Sequence, residues 1–457
     1  MALRKRTIIL SIGLLLMGVA CGDDDDTTPT PEAGVDGSPD GDVVGDNTIV
    51  AVAAGNPDFS TLVEAVMRAD LVDILNGAGP FTVFAPTNDA FTASGITDVN
   101  AVEVADLRQI LLYHVISGAR VESSQVMAGT QDSAAELTLF LGTEGGVTIN
   151  GGNAIMGGAN VVTPDVAADN GIIHAIDRVL LPPDIPTAAT YGGLTQLVDA
   201  VGAAAPLGDG TAVLAALQSE GPFTVFAPTN QGFMNLPAVP AGEALRDVLL
   251  YHVVSGSVAS TEIPAKADTL LQNEYGNGVS ILFDTTAGVA ANGNAVAIAD
   301  IRCTNGIVHI IGEVLLPPNV VDMATIAGFT SLTDAVGMAA NLADGTSVAD
   351  ALTAQAPYTV FAPTNDAFSR APAGLAPDAL RDVLLLHVVD AGAPVLSTGI
   401  PATAPALGGM LTFDTAADPP TVAGPGGATG PGTANIVLTD LNVTNGVVHV
   451  ISEVILP

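Results

Sequence analysis

Six histidines fall at only two kinds of place in this chain. His114, His252 and His387 close the segments "LRQILLYHVISG", "LRDVLLYHVVSG" and "LRDVLLLHVVDAG". His174, His309 and His449 follow Asn-Gly pairs in "NGIIHAI", "NGIVHII" and "NGVVHVI". Paired histidines invite a metal, since neutral imidazole is the commonest protein ligand. None is followed by the Glu-x-x-His spacing that a zinc-protease helix requires. Their apolar, β-forming neighbours point instead to buried rings satisfied by backbone hydrogen bonds. Metal ligation and partner contact are the alternatives.

Other catalytic patterns are missing from the sequence. No Gly-x-Ser-x-Gly elbow occurs. Lys266 lies in "PAKAD", without the glycines or the Ser/Thr of a phosphate-binding loop. No Gly-x-Gly-x-x-Gly opens a helix, and the carboxylates are scattered. Arg108, Arg246 and Arg381 recur in the Leu-rich segments. They read as ion-pair partners, with anion binding as the alternative. Cys303 stands where the other repeats have Ala168 and Val443, so it reads as a small core residue. The expectation is a chain with no catalytic residues, no cofactor and no bound metal.

Charge narrows the partners. Twelve Lys plus Arg face 48 Asp plus Glu, a formal charge of −36. Nucleic acid is excluded as a partner, because phosphate binding needs clustered cations. An anionic membrane surface is disfavoured for the same reason. The first residues have the pattern of an export signal: basic Arg4, Lys5 and Arg6, then an apolar run from Thr7 to Ala20. "GVAC" follows and resembles the lipobox of lipoproteins, with Gly18 where leucine is usual and Cys21 as the lipidation site. Residues 1–21 are therefore expected to be a lipoprotein signal. Residues 22–46 hold nine acidic and no basic residues, a composition that cannot bury enough apolar surface to fold. They read as a solvated tether, with membrane contact only through the lipid. The expected location is the cell surface or the periplasmic face. With Cys21 acylated, no disulfide framework is possible.

The elements that must position the histidines repeat three times. "FTVFAPTNDAF", "FTVFAPTNQGF" and "YTVFAPTNDAF" start at Phe81, Phe223 and Tyr358, 142 and then 135 residues apart. The first four letters alternate as a strand does. Pro86, Pro228 and Pro363 end the ladder, lacking an N–H to donate. Thr87, Thr229 and Thr364 are N-caps for a following helix, and Phe91, Phe233 and Phe368 return to the core. An apolar-periodic helix precedes each phrase: "FSTLVEAV", "LTQLVDAV" and "FTSLTDAV". The Asn-Gly pairs predict tight turns with positive φ before a final strand. The expected domains are 47–184, 185–320 and 321–457.

These three phrases, in this order, resemble the fasciclin domain over about residues 47–457. The resemblance implies an α+β fold, a β-sandwich wedge with packed helices, repeated in tandem. It also implies extracellular adhesion or matrix interaction and no catalysis. In animal members a Tyr-His segment and an Asp-Ile segment are implicated in integrin binding. The matching positions here are Tyr113 and His114, Tyr251 and His252, then Asp165, Asp300 and Asp440 with Val166, Ile301 and Leu441 after them. The third copy has Leu386 before His387. The partner expected on this reading is a surface or matrix protein, or a polysaccharide. A glycan-binding surface or periplasmic lipoprotein is the alternative, with Tyr191, Tyr275 and Tyr358 to stack on sugars and no Trp.

Overall fold

The computed structural model describes residues 47–207, 211–353, 357–425 and 433–457. The signal segment, Cys21 and the acidic tether lie outside the described residues. The rest is one α+β plan used three times. In the first copy, short helices Ile49–Ala54, Ser60–Arg68 and Val72–Leu75 precede the strand Phe81–Pro86. Helices Asn88–Ala93 and Val104–Tyr113 follow, and the remaining strands come last. Among the described residues, no helix is long and apolar enough to cross a membrane.

Seven strands form the sheet of the first copy, with Phe81–Pro86 between Val115–Ser117 and Gly171–Ile176. Phe81–Pro86 runs parallel to Gly171–Ile176, so the first and third phrases are direct neighbours. The other pairings are antiparallel. In the second and third copies the outer strands also meet, at Thr269–Val254 and Val389–Ala406, and the sheet closes into a barrel.

Each copy has two main apolar cores. One fills the inside of the curved sheet around Phe84, Leu139, Ile149 and Ile176. The other lies between the sheet and the helices, around Phe59, Leu62, Val66, Val83 and Leu111. The central strand therefore contributes to both. The phrase forms the expected strand, and Thr82 to Pro86 are all buried. Thr82 is tolerated there because its hydroxyl donates to the Ala119 carbonyl and accepts from the Val121 amide, both at 2.9 Å. Thr224 makes the matching bonds to Gly256 and Val258. The threonine caps form as expected, each accepting the amide three residues on, at 3.2 Å. Phe91 and Phe233 are buried, and Phe368 is partly buried against the same kind of core.

The Asn-Gly expectation holds in part: a tight turn precedes each final strand, and Gly306 and Gly446 have positive φ of 152° and 156°. The two turn residues are Asp169 and Asn170, Thr304 and Asn305, Thr444 and Asn445, and the glycine already belongs to the next strand. Glycine is required by close approach. A Cβ on Gly306 or Gly446 would stand 2.0 Å from the carbonyl oxygen of Phe223 or Tyr358. The asparagine is a buried clamp. Asn170 accepts the Ile49 amide at 2.9 Å and donates to the carbonyls of Leu75 and Gly77 at 2.8 Å. Asn305 and Asn445 repeat this on Ile185 with Leu217, and on Val320 with Leu352. One side chain thus satisfies the start of the first helix and the end of the third, where backbone groups have no helical partner.

The joints between copies also repeat. The Thr138 hydroxyl accepts the Arg302 amide at 3.0 Å, and the Ser280 hydroxyl accepts the Asn442 amide at 3.0 Å. Phe140 of the first copy packs in the helix-side core of the second, edge-on to Tyr191 at 6.1 Å. Leu282 packs against that of the third. Lys266 donates to the Asp440 carbonyl at 2.5 Å across the second joint.

Candidate functional site

The helices Val104–Tyr113, Gly242–Tyr251 and Pro377–Leu386 each stop at their histidine. All three rings are buried. Nδ1–H donates to the carbonyl four residues back: Ile110 and Val248 at 2.7 Å, Val383 at 2.9 Å. Nε2 accepts the amide of Leu180, Leu315 or Ile455, each at 2.9 Å. The backbone carbonyl of each histidine receives the amide of Phe84, Phe226 or Phe361. One residue therefore fastens a helix end, the central strand and the segment after the last strand. Accepting an N–H at Nε2 requires the neutral Nδ1–H tautomer. Burial favours it too, pushing the pKa of His114, His252 and His387 down to about 4.

The second histidine set takes the opposite tautomer. Nδ1 of His174, His309 and His449 accepts the amide of Asp165, Asp300 and Asp440 at 3.2 Å. Nε2–H donates to Val121, Val258 and Val395 at 2.9, 3.0 and 2.8 Å. His309 and His449 stack on Phe226 and Phe361 at 5.4 and 5.3 Å. Each aspartate sits at a β-bulge with φ of 63°, 60° and 57°. Its carboxylate accepts the amide of Ser123, Ser260 or Ser397 at 2.8, 2.8 and 2.7 Å, and that serine's hydroxyl as well. The Ser123 hydroxyl and amide hold the Asp165 carboxyl below its usual range.

Ser, His and Asp thus meet in every copy, but not as a nucleophilic triad. A triad needs the serine hydroxyl to face the imidazole and the aspartate to face the other ring nitrogen. Here the hydroxyl donates to the aspartate, and both ring nitrogens are occupied by backbone. The cluster holds a bulge in shape. Among the described residues no three His, Cys, Asp or Glu converge as a metal site would require.

The residues carried over from animal members divide sharply. Tyr113, Tyr251, His114, His252 and His387 are buried, out of reach of a docking partner. The Tyr113 and Tyr251 hydroxyls donate to Thr138 and Ser280 carbonyls at 2.9 Å and accept from Asn150 and Asn292. The aspartates are more open: the Asp165 side chain is 39% exposed and Asp440 23%. Arg302 and Asn442, two residues after Asp300 and Asp440, are taken by the joints. In the first copy Ala167 holds this place.

Arg246 and Arg381 form ion pairs with Asp247 and Asp382 at 2.8 Å, while Arg108 caps the carbonyls of Ala69 and Asp70. Cys303 is buried, and burial pushes its thiol up to about 12. Tyr191 is buried, Tyr275 and Tyr358 are half-buried, and the exposed large apolar side chains are aliphatic or methionine. Among the described residues no aromatic ring is fully exposed for sugar stacking.

Fasciclin domain models match residues 57–182, 194–317 and 332–457. The chain belongs to the fasciclin-domain family. It is 48% identical to protein sll1483 of Synechocystis over 141 residues, covering 30% of this chain and 74% of that protein. It is 27% identical to rabbit (Oryctolagus cuniculus) transforming growth factor-beta-induced protein ig-h3 over 425 residues, covering 90% of this chain and 58% of ig-h3. A solved fasciclin domain pair from the insect cell adhesion molecule fasciclin I aligns with a TM-score of 0.37 at 21% identity, over 57% of this chain and 98% of that one. The chain spans less than two thirds of the length of ig-h3.

The serines that hold the fasciclin aspartates escaped the sequence analysis. Their signal was present: Val-x-Ser recurs at Val121–Ser123, Val258–Ser260 and Val395–Ser397. The Asn170, Asn305 and Asn445 clamps were visible only as turn formers.

Proposed function

We propose that this chain is an exported, non-catalytic adhesion or interaction protein that grips a surface or matrix protein, or a polysaccharide, through three fasciclin domains. The observation that supports this most is the repetition itself. Three copies keep the same serine, histidine and aspartate bonds, and those bonds leave the three side chains occupied by the fold. On this reading Cys21 carries lipid, and residues 22–46 hold the domains away from the membrane. Weak contacts by each domain then suffice, because a linked second contact raises avidity without any new affinity. The acidic charge adds a condition. Two acidic surfaces repel within a Debye length of about 8 Å at physiological salt, so divalent cations between them favour adhesion.

Binding to intact cells of the producing organism tests this. The full chain is compared with pieces ending at residues 320 and 184, with and without chelator. At least tenfold weaker retention is expected for each domain removed, and further weakening with chelator. Equal retention by the one-domain piece overturns the multivalent reading, and indifference to chelator overturns cation bridging. Cys21→Ser is expected to release the protein from the membrane fraction; unchanged retention there removes the anchor.

A further inference from the structure

We propose that the second domain binds an uncharged aliphatic-chain molecule in a cavity beneath its helices. All three copies have an opening at the same place, between the helices and the first-phrase strand, against the ring of the helix-end histidine. Its volume is 30 Å³ in the first copy, 210 Å³ in the third and 720 Å³ in the second. The last value falls inside the range of about 300–1,000 Å³ typical of small-molecule sites.

Two sequence positions track this order. Phe59 and Leu71 pack in the helix-side core of the first copy, at 2% and 1% exposed. The third copy keeps Phe329 but has Val348 for the leucine. The second copy has Leu194 and Val213, the smaller residue at both places. The correspondence of the second position follows from the asparagine clamp: counting back four from the clamped Leu75, Leu217 and Leu352 gives Leu71, Val213 and Val348. Beside the opening, Gly202 and Gly337 stand where the first copy has Met67, and a Cβ added at either glycine meets nothing within 4 Å.

The chemistry of the walls selects the occupant. The floor is Val225, Phe226, Leu249 and Val253, and the preceding domain adds Ile155 and the 82%-exposed Met156. No lysine or arginine lines the cavity. Asp184 is its one charged side chain, and it caps a helix by accepting the Thr187 amide at 2.8 Å. An anionic head group would meet this carboxylate and no cation. The His252 ring offers no hydrogen bond, since both nitrogens are engaged. Exposed Thr190, Gln218 and Thr304 give the rim hydroxyl and amide groups suited to an uncharged polar end. Every residue lining the two smaller openings comes from its own copy of the fold, so the two-domain lining belongs to the middle of the chain.

The test uses the full chain and two fluorescent probes of similar shape, uncharged N-phenyl-1-naphthylamine and anionic 1-anilinonaphthalene-8-sulfonate. Saturable binding of one uncharged probe per chain is expected, with the anionic probe at least tenfold weaker. Gly202→Leu and Leu214→Trp, which extend side chains at the lining, are each expected to weaken binding at least fivefold without lowering the melting temperature. Gly337→Leu, in the third domain, is expected to leave it within twofold. Absent binding, equal affinity for both probes, or wild-type affinity in both second-domain variants overturns the proposal. Displacement by dodecanol alone identifies a free apolar molecule as the occupant. Displacement by phosphatidylcholine vesicles as well identifies a membrane lipid's chain, and displacement by neither overturns the assignment.

Discussion

The two histidine sets are the same residue in opposite roles. His114, His252 and His387 carry the proton on Nδ1 and return it to their own helix, while Nε2 receives a distant amide. His174, His309 and His449 carry it on Nε2 and use Nδ1 to hold the amide of a left-handed aspartate. Among the described residues, the first set faces no carboxylate within ion-pair distance. The second has one at 3.9 Å from His174 and 4.0 Å from His449. The lesson is that tautomer and acid sensitivity are set by what lies opposite each nitrogen, not by burial alone. For His309, burial lowers the pKa, while the Val258 carbonyl and Asp300 oppose it.

Acid should separate the two sets most strongly. A histidine with a folded pKa near 4 against 6.5 unfolded leaves the unfolded chain binding more protons between those values. Stability from the first set is therefore complete above about pH 6.5 and falls as pH drops towards 4. The difference corresponds to roughly 3 kcal/mol per domain. Urea denaturation at pH 7 and pH 4.5 should show a large loss, much reduced in a His252→Gln variant for the second domain. A flat profile would contradict the neutral, doubly bonded ring. Imidazole ¹⁵N shifts should report Nδ1–H for the first set and Nε2–H for the second; one shared tautomer would erase the contrast.

Substitution should follow at smaller size. His252→Ala leaves the Val248 carbonyl and the Leu315 amide without partners, and a loss of about 1–3 kcal/mol is expected from orphaning buried groups. His309→Ala should cost less at neutral pH, because the amide it releases belongs to a half-buried bulge. Guanidinium melts of the two variants decide it, and a larger loss for His309→Ala would reverse the ranking drawn from burial.

Much of this was legible in the sequence. Repetition marked the strand-to-helix phrase, the threonine caps and the structural reading of the histidines, since local pattern and backbone chemistry coincide there. What stayed hidden depends on contacts between distant segments. Asn170 looked like a turn residue because its clamp on Ile49 and Leu75 bridges positions about a hundred residues apart. The burial of the first-phrase strand on both faces was out of sight, because sequence alternation cannot reveal a second core behind it. The wide cavity of the second domain accompanies smaller core residues, Leu194 and Val213, which stand out only beside Phe59 and Leu71. The buried state of Tyr113 and Tyr251 was equally out of sight, because a Tyr-His pair reads the same inside a barrel or on its rim.

The finest test lies in the third copy, which dispenses with that tyrosine. Tyr113 and Tyr251 receive a hydrogen bond from Asn150 and Asn292, and these asparagines also accept the amides of Phe140 and Leu282. The strand register places Ala423 at the asparagine position of the third copy, where Leu386 replaces tyrosine. Both polar partners are absent together, and Leu386 and Ala423 are buried. Removing one partner alone orphans the other, whereas replacing both removes the bond between them without leaving either side chain unpaired. Tyr251→Phe should therefore cost about 1 kcal/mol, and the Tyr251→Phe, Asn292→Ala pair should cost less than the two single changes added. Leu386→Tyr should destabilise the third domain by about 1–3 kcal/mol, since the ring overfills a leucine site and its hydroxyl meets an alanine. Strict additivity in the second domain would show that tyrosine and asparagine act separately, and the joint absence in the third copy would then need another cause.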